Sequence, residues 1–228
     1  MFAAGLAASL DRIGQIQAHL PASLGMLMAV VGIGAALVPG VWQIARPIST
    51  MAHEGAHATM GSAVGRKITK MEFAFDGTGA TEHAGDTATL VRLPVTFIGY
   101  LGPSAFGIGA AELIRAGHIV AVLWIGLLCL LPVLYLARKS VGIVMVIAAS
   151  VLLLVLLGAG SIDTQVVTAY AVAWFLLASG VRSVLDDGKA AGDARTLREM
   201  TGISRAFWPV LWLAGSVIAL IFGATLLV

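Results

Sequence analysis

The sequence predicts an all-α polytopic membrane protein with about seven transmembrane helices and a small cytoplasmic β-hairpin. Three observations carry this. Hydrophobic residues make up 59% of the 228 and charged residues 11%, against about 25% charged in a soluble domain. Apolar runs near the roughly 20 residues needed to cross a bilayer recur along the whole chain. Lysine and arginine fall almost entirely between alternate runs, as the positive-inside rule requires.

The expected spans are residues 20–38, 41–64, 93–114, 119–136, 141–157, 166–181 and 207–228. The second is the least apolar, because it holds Gln43, Arg46 and the run His53-Glu54-Gly55-Ala56-His57. With seven spans, the side of the N-terminus carries Arg12, then Arg66, Lys67, Lys70 and Arg92, then Arg138 and Lys139, then Arg182, Lys189, Arg195, Arg198 and Arg205. The other side keeps Arg46 and Arg115, a split of 12 to 2. The expectation is a single integral membrane domain in the cytoplasmic membrane, its N-terminus cytoplasmic and its C-terminus outside. No cleavable leader is expected ahead of the first span.

Two connecting segments are long enough to have structure. In residues 65–92, Met71, Phe73 and Phe75 alternate with Glu72, Ala74 and Asp76 ahead of a glycine-rich turn. That pattern reads as a hairpin lying near the membrane surface. Residues 182–206 form a polar cytoplasmic segment with Glu199 and three aspartates, Asp186, Asp187 and Asp193.

Composition narrows the partners. A net charge of +2 without a basic run gives no nucleic-acid signal, and the lipid bilayer is the partner the spans imply. The lone Cys129 excludes an internal disulfide and a cysteine-based metal cluster. Oligomeric state is left open. Trp42, Trp208 and Trp212 read as interfacial anchors. Gly99, Gly102, Gly107 and Gly109 either pack against another span or line a cleft. His83 reads as a solvated loop residue, and Glu112 with Arg115 as a local ion pair.

The chemistry sits in His53, Glu54 and His57. On a helix, residues four apart share a face, so both imidazoles reach one metal ion. Neutral imidazole suits Zn²⁺. Glu54 projects about 100° around the helix from His53, beside a metal rather than onto it. A metal lowers the pKa of its water toward about 7, and a carboxylate so placed accepts the proton. Ionisable groups at membrane depth cost a few kcal/mol each, so three on one stretch of helix point to function. Two rivals use the same histidines: a membrane metal-ion transporter and a catalytically silent scaffold. The first has no need of Glu54, and the second no need of the intact set.

The His-Glu-Gly-Ala-His run in a membrane helix resembles the site-2 protease family of intramembrane zinc metalloproteases. It is most similar to the compact, actinobacterial-type branch. The hairpin "ITKMEFAFDGTGAT", the glycine-rich "GYLGPSAFGIGA" and the block "GDARTLREMTGISRAFWPVLWL" extend the resemblance over roughly residues 41–213. The resemblance implies hydrolysis of a peptide bond in or next to a transmembrane helix of a membrane-protein substrate. It implies Zn²⁺ held by His53, His57 and a third group, with Glu54 catalytic. The chain lacks the Asn-Pro…Leu-Asp-Gly ligand motif of other members, since it contains no Asn. Asp193 is the expected third ligand: it matches the family block, and its neighbours Gly192 and Ala194 allow close approach. Asp187 and Asp186, in the partial match "LDDG", are the alternatives. Asp193 could instead cap a short helix.

Overall fold

A computed structural model describes every residue of the chain except 75, 86–87 and 188–191. Phe75, Gly188 and Lys189 therefore lie outside the described residues, and of Asp187 only the backbone is described. The order is α1 (Phe2–Asp11), a 3-10 turn (Arg12–Gly14), α2 (Ala22–Leu37), α3 (Pro39–Ala63), β1 (Ile68–Phe73), β2 (Gly79–His83) and α4 (Thr89–Ile98). A second 3-10 turn (Gly99–Leu101) follows, then α5 (Gly102–Arg115), α6 (Ile119–Leu136), α7 (Ser140–Ala159), α8 (Ile162–Asp187), α9 (Gly192–Thr201) and α10 (Phe207–Leu227).

Among the described residues, five helical stretches are long and apolar enough to cross a membrane: Thr89–Arg115, α6, α7, α8 and α10. A sixth is reached only by counting α2 and α3 together, and these meet at a bend of 92°. Seven separate spans exceed that number. The reason is local. Helix α2 has 16 residues, ~24 Å at 1.5 Å per residue, short of the ~30 Å hydrocarbon core. Val38 is extended and Pro39 opens α3, because proline excludes the helical conformation from the residue before it and fits the first helical position.

After the bend, α3 lies across one end of the bundle. Ala52 and Ala56 back onto Gly102 at the start of α5. Met51 packs with Val133 near the end of α6 and Met145 near the start of α7. Ser49 meets Ser183 near the end of α8 at 3.0 Å. This is the site end.

Both ends of the chain sit at the far end. The Gln17 backbone N–H donates to the Gly117 carbonyl at 2.9 Å, and the Gln17 side chain accepts from Val120 N at 3.0 Å. The Trp124 indole donates to Ser9 at 3.1 Å, and Arg12 donates to Gln165 at 3.3 Å. Those partners belong to the α5–α6 and α7–α8 turns and the helices that begin there. At the other terminus, Leu227 shares a buried cluster with Ile119, Val120 and Val166. This arrangement differs from the expected one, which put the termini at opposite ends.

Helix α8 is the central post. Leu177 is fully buried, held between Gly107 of α5 and Gly223 of α10, where an added Cβ would meet its side chain at 2.9 and 2.5 Å. Small residues let helices approach when lipid supplies no hydrophobic drive between them. Large aliphatic residues such as Leu152, Val210 and Ile218 face outward, as a lipid-facing surface demands.

Trp42, Trp208 and Trp212 are all buried in protein, so they are packing residues and not interfacial anchors. Each faces another helix and reads as an anchor only while α3 and α10 are viewed alone.

The antiparallel hairpin pairs Met71 with Thr81 and Phe73 with Gly79, with an irregularity between Ile68 and Lys70. Met71 and Phe73 are buried against Met51, Val133 and Met145. The far edge of β1 is taken as well: Arg138 N–H donates to the Met71 carbonyl at 3.2 Å, and Lys139 pairs with Glu72 at 2.8 Å. That hydrogen bond from Lys139 holds Glu72 below its ordinary pKa. The hairpin is thus wedged between the α6–α7 turn and α3, with its apolar face in protein and not on a surface.

Candidate metal centre

Strand β2 runs parallel along α3 and lines a cleft of about 730 Å³. Thr50 donates to the Gly77 carbonyl at 2.9 Å. Thr81 donates to Glu54 Oε2 at 2.7 Å. A Cβ at Gly79 would sit 2.7 Å from Glu54 Oε1. The hairpin therefore fixes a buried glutamate carboxylate from one side. Further along, His83 lies against Gly61. Burial first, and then the Arg66 charge, lowers the His83 pKa. His83 lines the cleft and is not one of the grouped metal-ligand candidates.

His53, His57 and Asp193 converge across this cleft. The two Nε2 atoms are 3.0 Å apart. Asp193 Oδ2 is 3.2 Å from His53 Nε2 and 3.3 Å from His57 Nε2. Helix α9 presents Asp193 in its first turn, with Ala194 and Leu197 buried beneath it against Val184 and Trp208. Burial pushes the Asp193 carboxyl up, but the hydrogen bonds with His53 and His57 outweigh it and hold the group well below the usual carboxylate range.

The donor set fits a tetrahedral ion. Ligands at about 2.0–2.1 Å from zinc stand roughly 3.3–3.4 Å apart, close to the three separations here. The hydrogen bonding agrees. His57 Nδ1 meets the Val95 carbonyl at 2.6 Å, so Nδ1 carries the proton and donates. Its Nε2 then faces a carboxylate oxygen and a second imidazole nitrogen, where either a proton or a metal ion joins the three atoms. A carbonyl holding the remote nitrogen is the usual support of a ligating histidine.

Asp186 is used elsewhere. It accepts from Trp42 Nε1 at 2.6 Å and pairs with Arg182 at 3.0 Å. Asp187 cannot be placed in or out of the centre, because its side chain is not described.

Several residues at the site are not legible as functional from the sequence. A Cβ at Gly99 would lie 2.6 Å from His53 Nε2 and closer still to the His57 ring, so only glycine fits beneath the pair. Tyr100 is edge-on to His53, with centroids 4.6 Å apart, and stacks on Trp212 at 4.5 Å. Trp212 is fully buried and donates to the Phe97 carbonyl at 2.9 Å, where the helix breaks before α5. The signals available were the glycine at 99 and an indole needing a partner. We expect Trp212→Phe to leave that carbonyl unpaired and cost about 1–3 kcal/mol. Thermal unfolding and zinc competition with a chelator measure it, and unchanged values in both would remove Trp212 from support of the site.

A family model described as peptidase M50B-like matches residues 26–223. The chain belongs to the site-2 protease family. Site-2 proteases are intramembrane metalloproteases, and the matched residues include all of α3, the hairpin and α9. No curated protein and no solved structure matches the chain.

Proposed function

We propose that this site-2 protease is a single integral membrane peptidase domain. It uses Zn²⁺ to hydrolyse peptide bonds in or beside transmembrane segments of other membrane proteins. The observation that carries this reading is the convergence of three donor atoms within 3.0–3.3 Å beside a buried glutamate held by a threonine hydroxyl. In this reading His53, His57 and Asp193 hold the metal, which when bound acidifies a water and polarises the scissile carbonyl. Glu54 takes a proton from the attacking water and delivers it to the leaving amine. Thr81 orients Glu54, and Val95 orients His57. An α-helical substrate hides its amides, so it must unwind before cleavage. The β1 outer edge is occupied by Ala137 and Arg138, whereas β2 borders the cleft, so β2 is the edge available to an unwound strand.

The test is zinc analysis of the purified protein with cleavage of a model transmembrane peptide before and after chelation. Zinc-free protein that still cleaves would end the metalloprotease reading. Metal binding without cleavage of any peptide would favour transport or scaffolding.

The orientation follows from charge. Exchanging Arg12 for Arg46 leaves, among the described residues, eleven cations at the site end and two, Arg12 and Arg115, at the far end. By the positive-inside rule the site end is cytoplasmic, which places both termini outside. Reporters at Met1 and Val228 should read outside, and one between Arg138 and Ser140 inside. A cytoplasmic N-terminal reporter would restore the seven-span arrangement.

A further inference from the structure

The cleft holds more positive charge than its proposed chemistry uses. Arg46, Arg66 and Arg92 line it, and its acids among the described residues are Glu54 and Asp193. Both acids are engaged, Glu54 by Thr81 and Asp193 by the histidines. Among the described residues no carboxylate pairs with Arg66 or Arg92. Arg66 is only part exposed, and its Nε is enclosed without an acceptor. An enclosed guanidinium donor without an acceptor is costly, and among the described residues this corner holds no anion for it. Cytoplasmic charge balance alone does not require such burial: the adjacent Lys67 meets that need while exposed to solvent.

Resting on the protease reading, we propose that the cleft selects substrates bearing an acidic side chain, received by Arg66 and Arg92. A guanidinium offers a fork of donors matched to a carboxylate. The position follows from the helix. Helix α3 continues from His57 to Ala63, ~9 Å at 1.5 Å per residue, which about three extended residues cover. The acid is therefore expected about three residues from the scissile bond, on the side toward the C-terminal end of α3.

The test measures binding apart from turnover. Glu54→Gln protein in detergent is titrated with fluorescent model transmembrane peptides, identical except for Asp, Asn or Lys placed at successive positions. At one or two neighbouring positions Asp should bind about tenfold tighter than Asn, the scale of one charge-assisted pair. The preference should vanish in Arg66→Gln/Arg92→Gln, survive in Lys67→Gln, and turn toward Lys in Arg92→Glu. Arg92→Gln alone serves if the double variant does not purify. Equal binding of Asp and Asn at every position, or a preference that survives loss of both arginines, overturns the proposal. The two readings fail separately: wild-type cleavage without charge preference removes only this inference, and charge preference without cleavage by the wild type removes only the protease reading.

Discussion

Glu54→Gln protein is expected to keep its zinc and lose cleavage by about 10²–10⁴-fold. The amide is nearly isosteric and can still accept the Thr81 hydroxyl, which lies 2.7 Å from the carboxylate. It cannot accept a proton from water. The Glu54 carboxylate is also absent from the cluster of potential metal ligands, which comprises His53, His57 and Asp193. Zinc content and turnover of a model transmembrane peptide are measured together. Near-normal turnover would remove Glu54 as the base. Loss of zinc along with turnover would make Glu54 a ligand.

Asp193→Ala is expected to weaken zinc binding by on the order of a hundredfold or more, and activity should fall with it. The two histidines stay in place through Val95 and Tyr100, but the one negative donor is gone. Asp186→Ala makes the contrast. It should retain zinc and lose stability by about 1–3 kcal/mol, because Trp42 Nε1 and Arg182 both lose their acceptor. Zinc competition with a chelator and thermal unfolding separate the two effects. Full zinc and full activity in Asp193→Ala would eliminate it from the centre. Loss of zinc only in an Asp187→Ala control would move the third ligand there.

The sequence by itself determined that this is a helical membrane protein and which residues, His53 and His57, are candidate metal ligands on one helix face. Helical periodicity alone puts His53 and His57 on one face and turns Glu54 aside, because that relation spans a single turn. The alternation in residues 71–76 likewise announced a strand, since a period of two is local, although β1 runs Ile68–Phe73.

What the tertiary structure decided is everything that depends on residues far apart in the chain. The 12 to 2 charge split could not distinguish seven spans from six, because folding α3 across the bundle end only exchanges Arg12 for Arg46. The 92° bend decides which end each occupies, and it arises where Pro39 meets an α2 too short to cross. Asp186 and Asp193 are both acids in one polar segment. Only packing sends the first to Trp42 and the second to the histidines. The three tryptophans read as membrane anchors for the same reason: an isolated helix does not reveal whether lipid or another helix covers its face. Gly99 is the sharpest instance, since its need for a bare backbone comes from two imidazoles more than forty residues earlier that only the assembled fold sets against it.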